Sequence, residues 1–327
     1  MKSKQWLAAV FVAVLALLAS ACSDSDDKAN DTTSTTAAGG DSANDTGAFP
    51  VTVTGTNGDV TISEKPVAIV SLSPSGTEML FAIGAGDQVI AVDDYSYFPD
   101  EAPVTDLSGF QPNIEAIAAY EPDFVLLSND PGDVADGLDK LDIPVLVLGA
   151  ADVIDDVYTQ LEILGAATGN IGGAAEVVSQ MQSDIDEIVA SLPEDLPEGT
   201  YFHELDEGLY TITSDTFAGQ IYGILGLSSI ADSAEGAAAS AGYPQISEEF
   251  LLDADPDYIF LADGQCCGQD AETVAARPGW NTLSAVTNNN VVVLDEDTAS
   301  RWGPRIVEHL RSVADAILAN TETAAAN

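Results

Sequence analysis

With 327 residues, 46% of them hydrophobic and 19% charged, the chain has material for two globular units and a sizeable core. Its charge is extreme: nine Lys+Arg stand against 54 Asp+Glu, a formal net charge of −45. Such a polyanion repels phosphate backbones and anionic headgroups, three cysteines cannot build a disulfide scaffold, and two histidines are too few for a bare Zn or Mn receptor.

Lys2 and Lys4 precede an apolar run from Trp6 to Ala19 that closes in Ala19-Ser20-Ala21-Cys22. A short basic start, an apolar stretch and small residues at a cut site describe an exported chain, with 1–21 as the signal peptide. The run is shorter than the roughly 20 apolar residues a membrane span needs. The cysteine just after the small residues resembles a bacterial lipoprotein signal, which implies diacylation of Cys22 as the first mature residue. From Ser23 to about Gly47 the chain is almost wholly Ser, Thr, Asp, Asn, Gly and Ala with almost nothing to bury, a composition that cannot offset the entropy of ordering, so 22–49 reads as a flexible tether. The implied location is extracytoplasmic, lipid-anchored to the outer face of the cytoplasmic membrane, with contact to the lipid through the anchor alone.

Val51–Thr54 and Val60–Ile62 flank Gly55-Thr-Asn-Gly58 and read as a β-hairpin. Short apolar strands then alternate with helices: strand 67–70, helix 75–83, strand 89–92, helix 113–120, strand 124–127, helix 134–141 and strand 143–148. Continuous apolar strands in this alternation imply a parallel sheet covered on both faces. From Val153 to Leu192 only helical periodicity appears, broken near Gly169, and the second piece lines Val177, Val178, Met181, Ile185, Ile188 and Val189 along one stripe. Alternation resumes with strands at 200–203 and 209–212, helices at 217–225 and 248–252, strands at 258–261 and 291–294, and a closing helix from Pro304 to Ala319. The expected architecture is an N-terminal α/β lobe (50–150), a helical connector (151–196) and a C-terminal α/β lobe (197–327), with a ligand cleft between the lobes.

Several segments, in order from about Pro50 onward, resemble the substrate-binding proteins of bacterial ABC importers for iron–siderophores, cobalamin and haem. They are Val70-Ser-Leu-Ser-Pro-Ser-Gly-Thr-Glu78 with Phe81-Ala-Ile-Gly-Ala85; Asn113-Ile-Glu-Ala-Ile117 with Glu121-Pro-Asp-Phe-Val125; Ile246-Ser-Glu-Glu249 with Asp255-Pro-Asp-Tyr-Ile259; and Ser300-Arg-Trp-Gly-Pro-Arg-Ile306. The resemblance implies two Rossmann-like α/β lobes joined by a single long rigid helix, small lobe motions and a monomer. It also implies docking on an ABC permease through one acidic residue per lobe, placed by motif at Glu78 and Glu249, with Glu248 as the alternative to Glu249. On composition alone either glutamate is an ordinary solvated surface residue.

Cleft candidates are polar or aromatic residues just after strands. The first lobe offers Tyr95, Tyr97, Phe98, Phe110 and Asn129; the second offers Glu204, Tyr210, Tyr243, Arg301, Trp302 and Arg305. A guanidinium beside an aromatic ring suits a carboxylate or hydroxamate oxygen on a bulky chelate, while pairing with a neighbouring carboxylate is the plainer role for Arg301 and above all for Arg305. Adjacent Cys266 and Cys267 either form a vicinal disulfide or stay reduced and pack. His203, in a strand, is a core residue rather than a ligand, and His309 lies on the last helix as a surface or packing residue. Neither a Gly-x-Ser-x-Gly elbow nor a phosphate loop occurs, so the chain is not read as an enzyme, and a surface-anchored hydrolase is the rival of another class. No cofactor, catalytic residue or metal site is assigned. The expected cargo is a ferric siderophore, with cobalamin and haem as alternatives. The acidic body favours a neutral or cationic hydroxamate complex over an anionic catecholate.

Overall fold

In the computed structural model, residues 48–193, 196 and 198–326 are described. The signal peptide, Cys22 and nearly all of the expected tether lie outside them. An antiparallel hairpin of β1 (Val51–Gly55) and β2 (Gly58–Ile62) opens the body. Its turn docks on the first lobe, where Asn57 donates to Val145 O at 2.9 Å and accepts from Val147 N at 3.1 Å, as a neighbouring strand would.

The first lobe is a five-stranded parallel sheet, and its chain order is β3 (Ile69–Leu72), α1 (Pro74–Ala82), β4 (Val89–Asp93), β5 (Val104–Leu107), α2 (Ile114–Ala118), β6 (Phe124–Leu127), α3 (Val134–Asp139) and β7 (Val145–Val147). The strand order is β5-β4-β3-β6-β7, and β3 and β6 are buried along their whole length. Order reverses between these two central strands, so the crevice for a ligand opens at their carboxyl ends.

Two helices follow, α4 (Ile154–Thr168) and α5 (Ile171–Ser191), separated by Gly169 at φ 68°. A left-handed residue ends α4 there at little cost because glycine has no Cβ. The connector is therefore a packed helix pair in which the 21-residue α5 is the long member. Gly173 on α5 lies against the Ile83 carbonyl at the end of α1, leaving no room for a Cβ.

The second lobe runs β8 (Gly199–Glu204), α6 (Phe217–Ile224), β9 (Leu227–Ser229), α7 (Glu248–Ala254), β10 (Tyr258–Leu261), α8 (Gly264–Cys267), α9 (Ala271–Ala276), α10 (Ser284–Thr287), β11 (Val291–Val293), α11 (Glu296–Ser300) and α12 (Ile306–Ala326). Its parallel sheet has the order β11-β10-β8-β9. The strand expected at 209–212 is reduced to one bridge, Tyr210 to Gln245, because the chain turns back at left-handed Leu209 instead of running along the sheet. Strands β5 and β9 escaped the sequence reading because Val104-Thr-Asp-Leu107 and Leu227-Ser-Ser229 contain no apolar run. Among the described residues no helix is long and apolar enough to cross a membrane.

The repeated Pro-Asp turn has a structural purpose. Asp123 accepts from Val67 N and Ala68 N at 2.8 and 3.0 Å, and Asp257 accepts from Thr200 N at 2.8 Å. Each aspartate thus satisfies donors at the entry of the neighbouring central strand, β3 in one lobe and β8 in the other.

Both histidines are in the core. His203 Nδ1 lies 2.7 Å from the buried Tyr222 hydroxyl, and His309, whose ring nitrogens have no hydrogen-bond partner, meets the Tyr222 ring edge-on. Burial pushes His203 down to about 3, aided by His309, and pushes His309 down to about 4. Both rings are neutral in the fold, so their contribution to stability is complete above pH 6.5 and is lost as the pH falls toward 4. Replacing His309 with Leu should make the loss of unfolding free energy between pH 6 and 4 shallower by about 1 kcal/mol per pH unit. Urea unfolding of both proteins across that range measures it.

Candidate functional site

The carboxyl ends of β3, β4 and β6 supply one wall of a cavity of about 470 Å³, through Leu72, Asp93, Ser128 and Asn129. Ser73 caps α1 by accepting from Gly76 N at 3.1 Å, which turns the chain sharply and sets Ser75 in the same wall. The loop after β4 brings Tyr95 and Tyr97, and the loop after β5 brings Phe110. Tyr95 and Phe110 meet edge to face with ring centres 5.4 Å apart, and both are largely exposed, 52% and 69%. They form a wide, largely exposed aromatic surface. The second lobe contributes a single segment, α11 and the two residues after it: Glu296, Asp297, Ser300, Arg301 and Trp302.

Asp93 is buried at this cavity and accepts from the Ser96 hydroxyl. Burial pushes its carboxyl above the usual range, against the opposing effect of that hydrogen bond.

Beside the cavity a four-membered ionic cluster crosses between the lobes. Glu78, on α1, is 3% exposed. Its Oε1 accepts from Arg301 Nη1 at 2.7 Å and Arg305 Nη2 at 2.8 Å, and its Oε2 accepts from Arg305 Nε at 3.0 Å. Arg301 also donates to Asp297 at 2.8 Å and to the Tyr95 carbonyl at 3.1 Å. The Tyr97 hydroxyl donates to Asp297 at 2.7 Å, while Tyr97 and Phe98 lie under the Arg301 and Arg305 guanidinium groups at 4.9 and 3.8 Å. Trp302 N donates to Ser75 Oγ at 3.2 Å.

The second lobe's own switch point, between β8 and β10, is filled rather than open. Glu204, fully buried at the end of β8, receives both terminal nitrogens of Arg277 at 2.5 and 2.6 Å. Asp263, just beyond β10, is buried beside Glu204; burial first and then the Glu204 charge push it up to about 7. Cys266 and Cys267 follow, joined to each other in a disulfide within the single turn of α8. The N–H groups of Gln265 and Cys266 donate to Glu296 Oε1, both at 2.6 Å, so this turn holds the start of the cavity-lining segment.

Of the residues expected in the cleft, the structure brings together Tyr95, Tyr97, Phe110, Asn129, Arg301 and Trp302. Five do not line this cavity. Phe98 and Arg305 border an adjoining hollow with Glu78, and Glu204 is consumed by Arg277. Tyr210 and Tyr243 are exposed on second-lobe loops outside the lining. Glu78 is the main correction. A carboxylate buried to this degree and held by two arginines of its own chain is not available to a partner's cation. Glu249 is exposed in the first turn of α7, which Ser247 caps. Its counterpart by position is Glu115, exposed in the first turn of α2, which Asn113 caps. The signal was present in the repeated helix–Pro-Asp–strand pattern. Asp93, Glu296 and Asp297 were also missed, since acids in so acidic a chain carry no individual signal.

The family model for periplasmic binding proteins matches residues 69–298. An uncharacterised ABC transporter substrate-binding lipoprotein of Bacillus subtilis is 31% identical over 284 residues, 84% of this chain and 87% of that protein. A cobalamin-binding protein of Halobacterium salinarum is 29% identical over 277 residues, covering 82% and 74% respectively. Among solved structures, a possible iron-binding, periplasmic solute-binding protein from Staphylococcus epidermidis superposes with a TM-score of 0.68 at 27% identity, over 78% of this chain and 99% of that one.

Proposed function

Because the chain belongs to the periplasmic binding protein family, we propose that its cleft captures a neutral or cationic metal chelate, a corrinoid before a ferric hydroxamate, for delivery to an ABC importer. Proteins of this family bind solutes for transport and are not catalytic, which removes the surface hydrolase. The observation that carries the reading is the state of Arg301. Among the described residues it is the one cation lining the cavity, and Glu78, Asp297 and the Tyr95 carbonyl already occupy it. The other charged groups of the lining, Asp93, Glu296 and Asp297, are acids. Propionates of a haem or the oxygens of a tri-anionic catecholate would enter with no free cation to meet them, and an unpaired charge in a partly desolvated cleft is costly. A corrinoid or a hydroxamate complex avoids this. The cobalamin-binding relative in Halobacterium supports placing the corrinoid first.

Tyr95, Phe110 and Trp302 then supply the apolar contact, as aromatic faces do in small-molecule clefts. Delivery fits the lipid anchor at Cys22, which keeps the binding body beside its permease outside the cytoplasmic membrane. The permease is met through Glu115 and Glu249, one exposed carboxylate in the first helical turn of each lobe's Pro-Asp unit. Charge pairs of this kind fix register and speed encounter more than they add affinity.

Calorimetric titration with cyanocobalamin, a ferric trihydroxamate, haemin and a ferric tricatecholate should rank the first two above the last two. A tighter anionic ligand would sink the reading. Phe110→Ala and Trp302→Ala should each weaken the leading ligand by about tenfold, the loss of one aromatic contact. For docking, Glu115→Arg combined with Glu249→Arg should abolish ligand delivery in vesicles carrying the permease, with solution affinity unchanged within about twofold. Equal loss of affinity would refute the docking role.

A further inference from the structure

We propose that Glu78 is a specificity-determining residue, an internal counter-anion that occupies Arg301 and Arg305 and so keeps anionic chelates out of the cleft. The inference rests on the proposed charge preference and assigns it a cause. Glu78 is nearly closed off from solvent, at 3% exposure, and its neighbours on α1, Met79 and Leu80, are apolar core residues. Removing a carboxylate from water in such a place is offset only by close pairing, and a well-packed apolar side chain often serves stability as well. What an apolar residue would not do is neutralise the two guanidinium groups.

The arithmetic of the cluster is simple. Glu78 and Asp297 balance Arg301 and Arg305, leaving no net charge where the cavity meets the second lobe. Nearby Asp93, Asp295 and Glu308 add only negative potential. Arg301 is itself part of the cavity lining. Without the Glu78 charge, its planar fork would present Nη1 to a ligand carboxylate or catecholate oxygen, a geometry suited to bidentate recognition. Glu78 never needs to touch the ligand; it decides which ligand the arginines can accept.

Glu78→Gln preserves shape and removes the charge. Haemin, with two carboxylates, and cyanocobalamin, without net charge, serve as probes by calorimetry on the full chain. The ratio of haemin to cyanocobalamin affinity should rise by at least about tenfold over the wild type, and Glu78→Asp should restore the wild-type ratio. A purely structural role would weaken both ligands together or neither, leaving the ratio where it was, and that result overturns the proposal. Should Glu78→Gln not fold, Asp297→Asn releases Arg301 Nη2 at a less buried position, and the same rise in ratio is expected. Wild-type affinities alone judge the charge preference. If the wild type already takes haemin more tightly, that reading fails, while the change in ratio still judges Glu78.

Discussion

Glu78 is held by two arginines that enter the chain more than two hundred residues later, and the cleft owes its present form to that attachment. The segment from Asp295 to Arg305 leaves β11 in the second lobe and reaches across to α1 and the loop after β4. Everything the second lobe gives to the cavity lies on this one segment. Breaking a buried charge pair by removing one partner costs on the order of 3–5 kcal/mol, because the other charge is left unpaired. That cost opposes separation of the partners, so the pairing holds this segment against α1. Tyr97 and Phe98 add their ring faces to the same arginines, and Ser75 accepts from the Trp302 backbone. The cavity wall is built from contacts within the chain itself.

The opposite end of that segment is fixed differently. Glu296 receives two backbone N–H groups from the disulfide-bearing turn, which itself begins at buried Asp263. The segment is therefore strung between a first-lobe carboxylate and a second-lobe turn. The contrast between the two switch points follows. In the first lobe the crevice at the carboxyl ends of β3 and β6 stays open and lined with small polar groups and aromatics. In the second, Glu204, Arg277 and Asp263 fill the equivalent place with their own charges. The lobes share a topology but not a role: one offers the surface, the other lends a strap to close it.

Much of the fold was legible because apolar runs such as Phe124–Leu127 and Tyr258–Leu261 lie fully buried in central parallel strands, where sequence and burial coincide. The breaks at Gly169 and at the Pro-Asp turns were legible for a local reason, since each places a residue with one conformational or hydrogen-bonding task. Leu209–Ile212 misled because its β-like composition serves an irregular turn. The site was less legible. Tyr95, Phe110 and Trp302 announced themselves as aromatics after strands. Glu78 could not be assigned from its motif, because the same glutamate fits a docking surface or an ion pair until the position of Arg301 is known. Only the fold brings together residues so far apart in sequence.

The chain's acidity gains a sharper meaning from this geometry. Over the whole surface, a net charge of −45 is screened within about 8 Å at physiological salt and says little about what enters one cleft. Inside the cleft, screening is weaker and individual partners matter more than totals. There the scarce arginines are spent on internal carboxylates, so the local balance is neutral at the cluster and negative at Asp93 and Glu296. Under the proposed charge preference, selectivity against anionic cargo comes from where a few arginines are bound, and the surface charge can vary with habitat without changing it.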